Sequence, residues 1–99
     1  MPLKDITHIE SDGHDLIVHR TQGREPLRTR MTMAEAEELF ADARFLRVNR
    51  SFLINMDEVD DVVGDAFILT DGAHITMRRQ GRAALREAYE SHLYRRMRE

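Results

Sequence analysis

Tight-turn dipeptides recur along this chain at short intervals, at Asp12-Gly13, Gln22-Gly23, Gly64-Asp65 and Asp71-Gly72. Each is flanked by short runs rich in β-branched or bulky apolar residues, and glycine supplies the positive φ that reverses a chain within two residues. The spacing predicts antiparallel hairpins, with strands over residues 5–11, 15–21, 27–31, 45–48, 59–63, 66–70 and 73–78. Alternation is clearest at Phe67 and Leu69 and again at Ile75 and Met77, so each strand is expected to bury one face.

Between the third and fourth strands the period changes. Met33, Ala36, Leu39, Phe40 and Ala43 share one helical stripe. Thr32 followed by Glu35 forms a capping box, in which the hydroxyl satisfies one free amide and the carboxylate another. A helix over 32–42 is expected. After Gly81, residues 82–96 contain no Gly or Pro, and Leu85, Tyr89, His92 or Leu93, and Met97 lie on one stripe. This predicts a terminal helix, with Tyr89, Leu93 and Met97 packed on the body of the domain. Ninety-nine residues, 41% of them apolar, have no surplus for two cores, so 1–99 reads as one domain.

Several function classes drop out. The longest apolar runs, such as 52–54 and 66–69, fall far short of the roughly 20 residues that span a bilayer. No membrane partner is expected. The opening MPLKDITHIESDG shows no basic stretch followed by an apolar one, which points to a cytoplasmic setting. The absence of cysteine removes disulfides, thiolate zinc sites and thiol nucleophiles together. His8, His14, His19, His74 and His92 show no ligand spacing. His8, His14 and His19 would make a metal site only by converging from neighbouring strands, and no metal or cofactor is expected. Asp57, Glu58, Asp60, Asp61 and Asp65 lack the register of a calcium loop and read as a solvated hairpin. Ser51 has no nucleophile-elbow context and no Gly-rich phosphate loop occurs, so enzyme chemistry finds no support.

The charge is -3 overall but unevenly spread. Residues 76–99 hold seven Arg against three Glu, whereas 57–65 hold five acids and no base. A mildly acidic chain can therefore present a basic face. Fourteen of the fifteen basic residues are Arg, whose planar fork suits phosphate and guanine. The densest concentration of such chemistry is the stretch RFLRVNRSFLIN (44–55). Here Phe45, Val48, Phe52 and Ile54 anchor inward while Arg47, Asn49, Arg50 and Ser51 cluster at a bend. Arg pairs with phosphate or guanine, Asn with adenine and Ser with phosphate. Asn55 reads as a cap for the bend. Arg50, with no carboxylate nearby in sequence, is the better DNA contact.

The segment FLRVNRSFLINMDEV closely resembles the most typical part of the LytTR family of bacterial DNA-binding domains. ITHIESDGHDLIVH, MTMAEAEELF and ILTDGAHITMRRQGRAAL match in order and spacing, so the resemblance covers about residues 6–85, with 86–99 a helical extension. It implies a mainly β fold of elongated, stacked antiparallel sheets with one short internal helix, here followed by a C-terminal helix. Such domains are usually the output domains of response regulators and bind paired promoter sites through loops in the major groove. Carried over by position, the family's DNA contacts look like His14, Arg50 and Arg79, expected near base edges; the charge of the chain itself adds Arg20, Arg47, Arg78, Arg79 and Arg82 as expected phosphate contacts, with Ser51 in the same bend and Arg78 where members more often have a small polar residue. Asn49 stands where members usually carry His, which alters the base preference expected there. The implied partner is double-stranded promoter DNA, with self-association on paired sites. The alternative is a protein-interaction or oligomerisation module that uses strand edges or the terminal helix.

Overall fold

The computed structural model describes residues 1–98. Strands β1 (Ile6–Asp12), β2 (Asp15–Arg20), β3 (Leu27–Arg30), β4 (Phe45–Asn49) and β5 (Phe52–Asn55) form one antiparallel sheet in the order β3-β2-β1-β5-β4. A second antiparallel sheet, in the order β6-β7-β8, comprises β6 (Val59–Val63), β7 (Ala66–Leu69) and β8 (His74–Thr76). Helix α1 (Met33–Leu39) lies between β3 and β4, and α2 (Arg82–Met97) follows β8. The molecule is mainly β, with extents of 34 × 30 × 25 Å.

The turn signals predict seven strands; β5 is the eighth. It pairs with β1 through His8↔Ile54, Ile9↔Leu53 and Glu10↔Phe52, and with β4 on its other side, so it lies inside the sheet. The β4–β5 connection, Arg50-Ser51, contains no glycine, and side chains at the end of β4 and beyond β8 hold it. Where glycine does serve, it does so as expected: Gln22 (φ +61) and Gly23 (φ +66) are the successive left-handed pair that turns the chain between β2 and β3.

Alternation in β5 shows how the layers stack, because neighbouring strand residues face opposite ways. Leu53 joins Ile6, Ile9, Leu16 and Val18 in a core covered by Met33 and Ala36 of α1. Ile54 joins Val48 in a second core with Phe67, Leu69, Ile75, Met77 and Leu85. The larger sheet is thus covered on both faces at β5, with α1 over one face and the second sheet over the other, while β3 at its far edge stays exposed.

Both halves of the α1 capping box form: the Glu35 amide donates to Thr32 Oγ1 (3.1 Å) and the Thr32 amide donates to Glu35 Oε1 (3.0 Å). The helix is shorter than the stripe suggests. Phe40 leaves the helical region (φ −104, ψ +42) and its ring packs against Phe45 at 5.9 Å, so the helix ends before residue 42 and Leu39 remains 62% exposed. In α2, Leu85 and His92 are buried and Tyr89 meets Phe67 edge-on at 5.6 Å. Met97 does not pack on the body; it is 83% exposed. The C-terminal half of α2 is instead held through polar side chains, His92 Nε2 lying 2.6 Å and Arg96 Nε 3.4 Å from Asp57 Oδ1, on a side of the helix that Met97 does not share.

Candidate nucleic-acid interface

Strand register brings three connections to one end of the molecule. Asp12↔Asp15 closes the β1–β2 turn, placing His14 at its tip beside Gly13 (φ +62). The Ser11 amide donates to the Ser51 carbonyl (2.9 Å), which sets the β4–β5 turn beside the β1–β2 turn. The Arg78 amide donates to the Val48 carbonyl (2.8 Å), which draws in the segment after β8. His14, Arg50, Arg78 and Arg79 are exposed there and Ser51 is half-buried.

The β4–β5 turn is built by side chains. Arg47 donates from Nε to the Asn49 carbonyl (3.1 Å) and from Nη2 to the Arg50 carbonyl (2.7 Å), while Nη1 pairs with Glu37 of α1. Asn49 Oδ1 accepts from the Ser51 amide (2.8 Å) and Nδ2 donates to the Thr76 carbonyl (2.7 Å). Arg78 Nη1 donates to the Arg47 carbonyl (3.0 Å). Gly81, whose left-handed φ of +81 is what favours glycine there, lies beside the Arg78 guanidinium, and a Cβ would only touch it, at 3.5 Å. The turn is therefore fastened to α1, to β8 and to the segment beyond β8. Among the described residues, the side chains of His14, Arg50 and Arg79 have no hydrogen-bond or ion-pair partner. They remain free to donate outward, and a guanidinium fork fits phosphate oxygens or guanine O6 and N7.

The family model for the LytTr DNA-binding domain matches residues 1–90. The chain belongs to the LytTR family of DNA-binding domains. The match is wider than the 6–85 of the resemblance and takes in the first half of α2. No curated protein matches the sequence. Among solved structures, the chain resembles the LytTr DNA-binding domain of a putative methyl-accepting/DNA response regulator from Bacillus cereus. The TM-score is 0.78 at 16% identity, covering 89% of this chain and 84% of that one. At that identity the likeness concerns the fold, and the two-sheet architecture agrees with it.

Not every residue singled out in the sequence joins the cluster of this LytTR domain. Arg82 Nη2 donates to Asp65 Oδ2 (3.2 Å) and Arg86 Nη2 to the Gly64 carbonyl (2.7 Å), so both tie α2 to the β6–β7 turn. Arg20 pairs with Ile6 at the opposite end of the hairpin, and its Nε donates to the Glu25 carbonyl (2.8 Å). Five strand residues separate that position from Asp15, about 16 Å. Asn55, fully buried, has a structural role but does not cap the bend at 47–51: at the other end of β5 it donates from Nδ2 to the Ile6 carbonyl (2.8 Å) and accepts from the Asp57 amide (2.9 Å), capping the 3-10 turn at Met56–Glu58.

Arg30, which the sequence reading did not single out, lies beside this cluster. It pairs in register with Asp15, one residue from His14, is exposed, and has no side-chain partner among the described residues. Its neighbour Arg28 is neutralised by Asp12 (2.7 Å) and Asp15 (3.1 Å). All four residues of β3 are exposed, so no alternation distinguishes one arginine from the other.

The three strand histidines do not converge. His8 and His19 stack with ring centroids 4.2 Å apart, whereas His14 sits at the far turn. Burial, reinforced by the neighbouring His19, lowers the His8 pKa from 6.5 to about 4 against the opposing pull of Asp71 and Glu10. His19 Nε2 lies 2.6 Å from Glu10.

Proposed function

We propose that this domain reads double-stranded promoter DNA selectively, as the DNA-binding part of a bacterial transcriptional regulator of the two-component type working in the cytoplasm. The observation that carries this reading is the gathering of His14, Arg50 and Arg79, unpartnered and exposed, on three adjacent connections. Membership of a DNA-binding family supports the partner, and the response-regulator description of the similar Bacillus cereus domain supports the setting. Arg50 and His14 address base edges, Arg79 a base edge or a phosphate, and Arg30 and Arg78 add charge for the backbone. Phosphate contacts fix the register and base contacts the sequence. Arg20 lies outside this footprint and Arg82 is held by Asp65. Two copies bind paired sites on one promoter.

The test is anisotropy of the domain on labelled duplexes selected from a random pool, at two salt concentrations, with Arg50→Ala alongside. Loss of a base-reading fork costs about 1 to 3 kcal/mol, roughly 5- to 150-fold, on selected DNA and little on random DNA. Equal loss on both would make Arg50 a phosphate contact. Failure to select any sequence, with shallow salt dependence, would favour the protein-interaction module, for which the exposed edge strand β3 is the available surface.

A further inference from the structure

We infer that Arg47 is a positioning residue for sequence reading, held by Glu37, and not a phosphate contact. The inference rests on the DNA-reading proposal above and deepens it. Its basis is the disposition of the Arg47 side chain. Nε, Nη1 and Nη2 are each committed, to the Asn49 carbonyl, to the Glu37 carboxylate and to the Arg50 carbonyl. The two carbonyls belong to the peptides on either side of the Arg50 Cα, so the guanidinium plane fixes the orientation from which the Arg50 side chain projects. A rigid fork with donors at fixed angles does this, whereas the point charge of a lysine on a flexible stem does not.

Charge supports the same assignment. Arg47 is only 31% exposed and its positive charge is balanced by Glu37 in direct contact, so the pair adds little to the attraction for phosphate. A carboxylate at that place would oppose a phosphate approaching Arg47. It is well suited to orient a guanidinium whose other donors grip the turn. The same turn has two further fasteners, Asn49 to Thr76 and Arg78 to the Arg47 carbonyl, so its shape depends on α1, β4 and β8 together. Base reading needs that rigidity, because a bidentate pair is lost when the fork is misplaced by about an ångström.

Arg47→Lys and Glu37→Gln separate the two roles. Three quantities are measured: affinity for selected and for random duplex, the slope of log affinity against log salt, and hydrogen exchange of the Ser51 amide in the free protein. That amide is bonded to Asn49 inside the turn. For a positioning residue, Arg47→Lys lowers affinity for selected DNA about tenfold, leaves random DNA and the salt slope nearly unchanged, and speeds Ser51 exchange about tenfold. Glu37→Gln, a surface change on α1 that leaves the cores intact, shifts the same ratio in the same direction, about threefold. A phosphate contact gives the opposite pattern: Arg47→Lys keeps the ratio of selected to random affinity, and Glu37→Gln tightens all DNA equally by releasing Arg47. Either result overturns the inference. Unchanged Ser51 exchange in both variants overturns it too, and does so without DNA. Arg50→Ala tests the underlying base-reading claim separately, so failure of one is distinguishable from failure of the other.

Discussion

Replacing Asn55 by Ala removes the one side chain that joins the end of β5 to the start of β1 and to the 3-10 turn at Met56–Glu58. The amide makes two bonds, donating to the Ile6 carbonyl at 2.8 Å and accepting from the Asp57 amide at 2.9 Å, at a site with no solvent exposure. Leaving a buried polar partner unsatisfied costs about 1 to 3 kcal/mol. The Ile6 carbonyl, in a residue 1% exposed, bears most of that cost, whereas Asp57 is half-buried and its amide can recruit water. The sum is about 3 kcal/mol, against a total stability of roughly 5 to 15 kcal/mol for a domain. At about 4 to 8 °C per kcal/mol for a chain of this size, the melting temperature falls by about 12 to 24 °C. Asn55→Asp is the sharper probe. It keeps the acceptor for Asp57 but sets a carboxylate against the Ile6 carbonyl, so it destabilises at least as much as Ala. Urea unfolding followed by circular dichroism measures both. A loss under 1 kcal/mol for Ala, or an Asp variant as stable as the parent, would refute the reasoning. At temperatures where the Ala variant stays folded, its preference among DNA sequences is unchanged, which separates Asn55 from Arg50.

Arg30→Ala is expected to weaken selected and random DNA alike and to make the log–log salt slope shallower by about 0.9, the signature of one lost phosphate neutralisation; an unchanged slope would remove Arg30 from the interface. His8, with a folded pKa of about 4 against 6.5 when unfolded, leaves the unfolded state binding more protons between those values. Stability is therefore full above pH 6.5 and declines as pH falls towards 4, by about 2 to 3 kcal/mol. Urea midpoints at pH 7.5 and 4.5 for the parent and His8→Gln measure this, and a variant with the parent's pH dependence would count against it. Thr32→Ala, which breaks the capping box, costs about 1 kcal/mol of stability, read from the same unfolding curves, and a change below about 0.3 kcal/mol would mean that the cap is dispensable.

The hairpins of this fold are legible in the sequence because their turns are local: Gly13, Gly23, Gly64 and Gly72 all have positive φ. The capping box is legible for the same reason, since Thr32 and Glu35, three residues apart, bond each other. β5 escaped because its turn is closed by side chains in place of glycine, two from the end of β4 and Arg78 from beyond β8. Arg50 and Ser51 carry no turn signal of their own; Arg47, Asn49 and the Thr76 carbonyl, 27 residues beyond Asn49, give the connection its shape. Met97 and Leu39 failed differently. A stripe shows which residues share a side of a helix, but where the helix stops and which partners meet that side are set by the rest of the fold: α1 ends at Phe40, and the end of α2 is held by His92 and Arg96 on Asp57.

The same division runs through the candidate site. Arg and Asn were picked out around residue 50 because their donors suit phosphate and base edges, yet a backbone carbonyl asks for the same donors. Residue type alone cannot separate Arg47, whose fork closes on two carbonyls and a carboxylate, from Arg50 three residues later, whose side chain is exposed with no partner among the described residues. Arg28 and Arg30 repeat the contrast on β3, one neutralised by Asp12 and Asp15 and the other not. In each pair the distinction lies in which acceptors the fold has already placed within reach. A surface arginine whose donors are already committed shapes the interface; one whose donors are free is available to read or to hold DNA. On that criterion the proposed reading group is His14, Arg50 and Arg79, with Arg30 beside it, and Arg47, Asn49 and Arg78 form the frame proposed to aim Arg50.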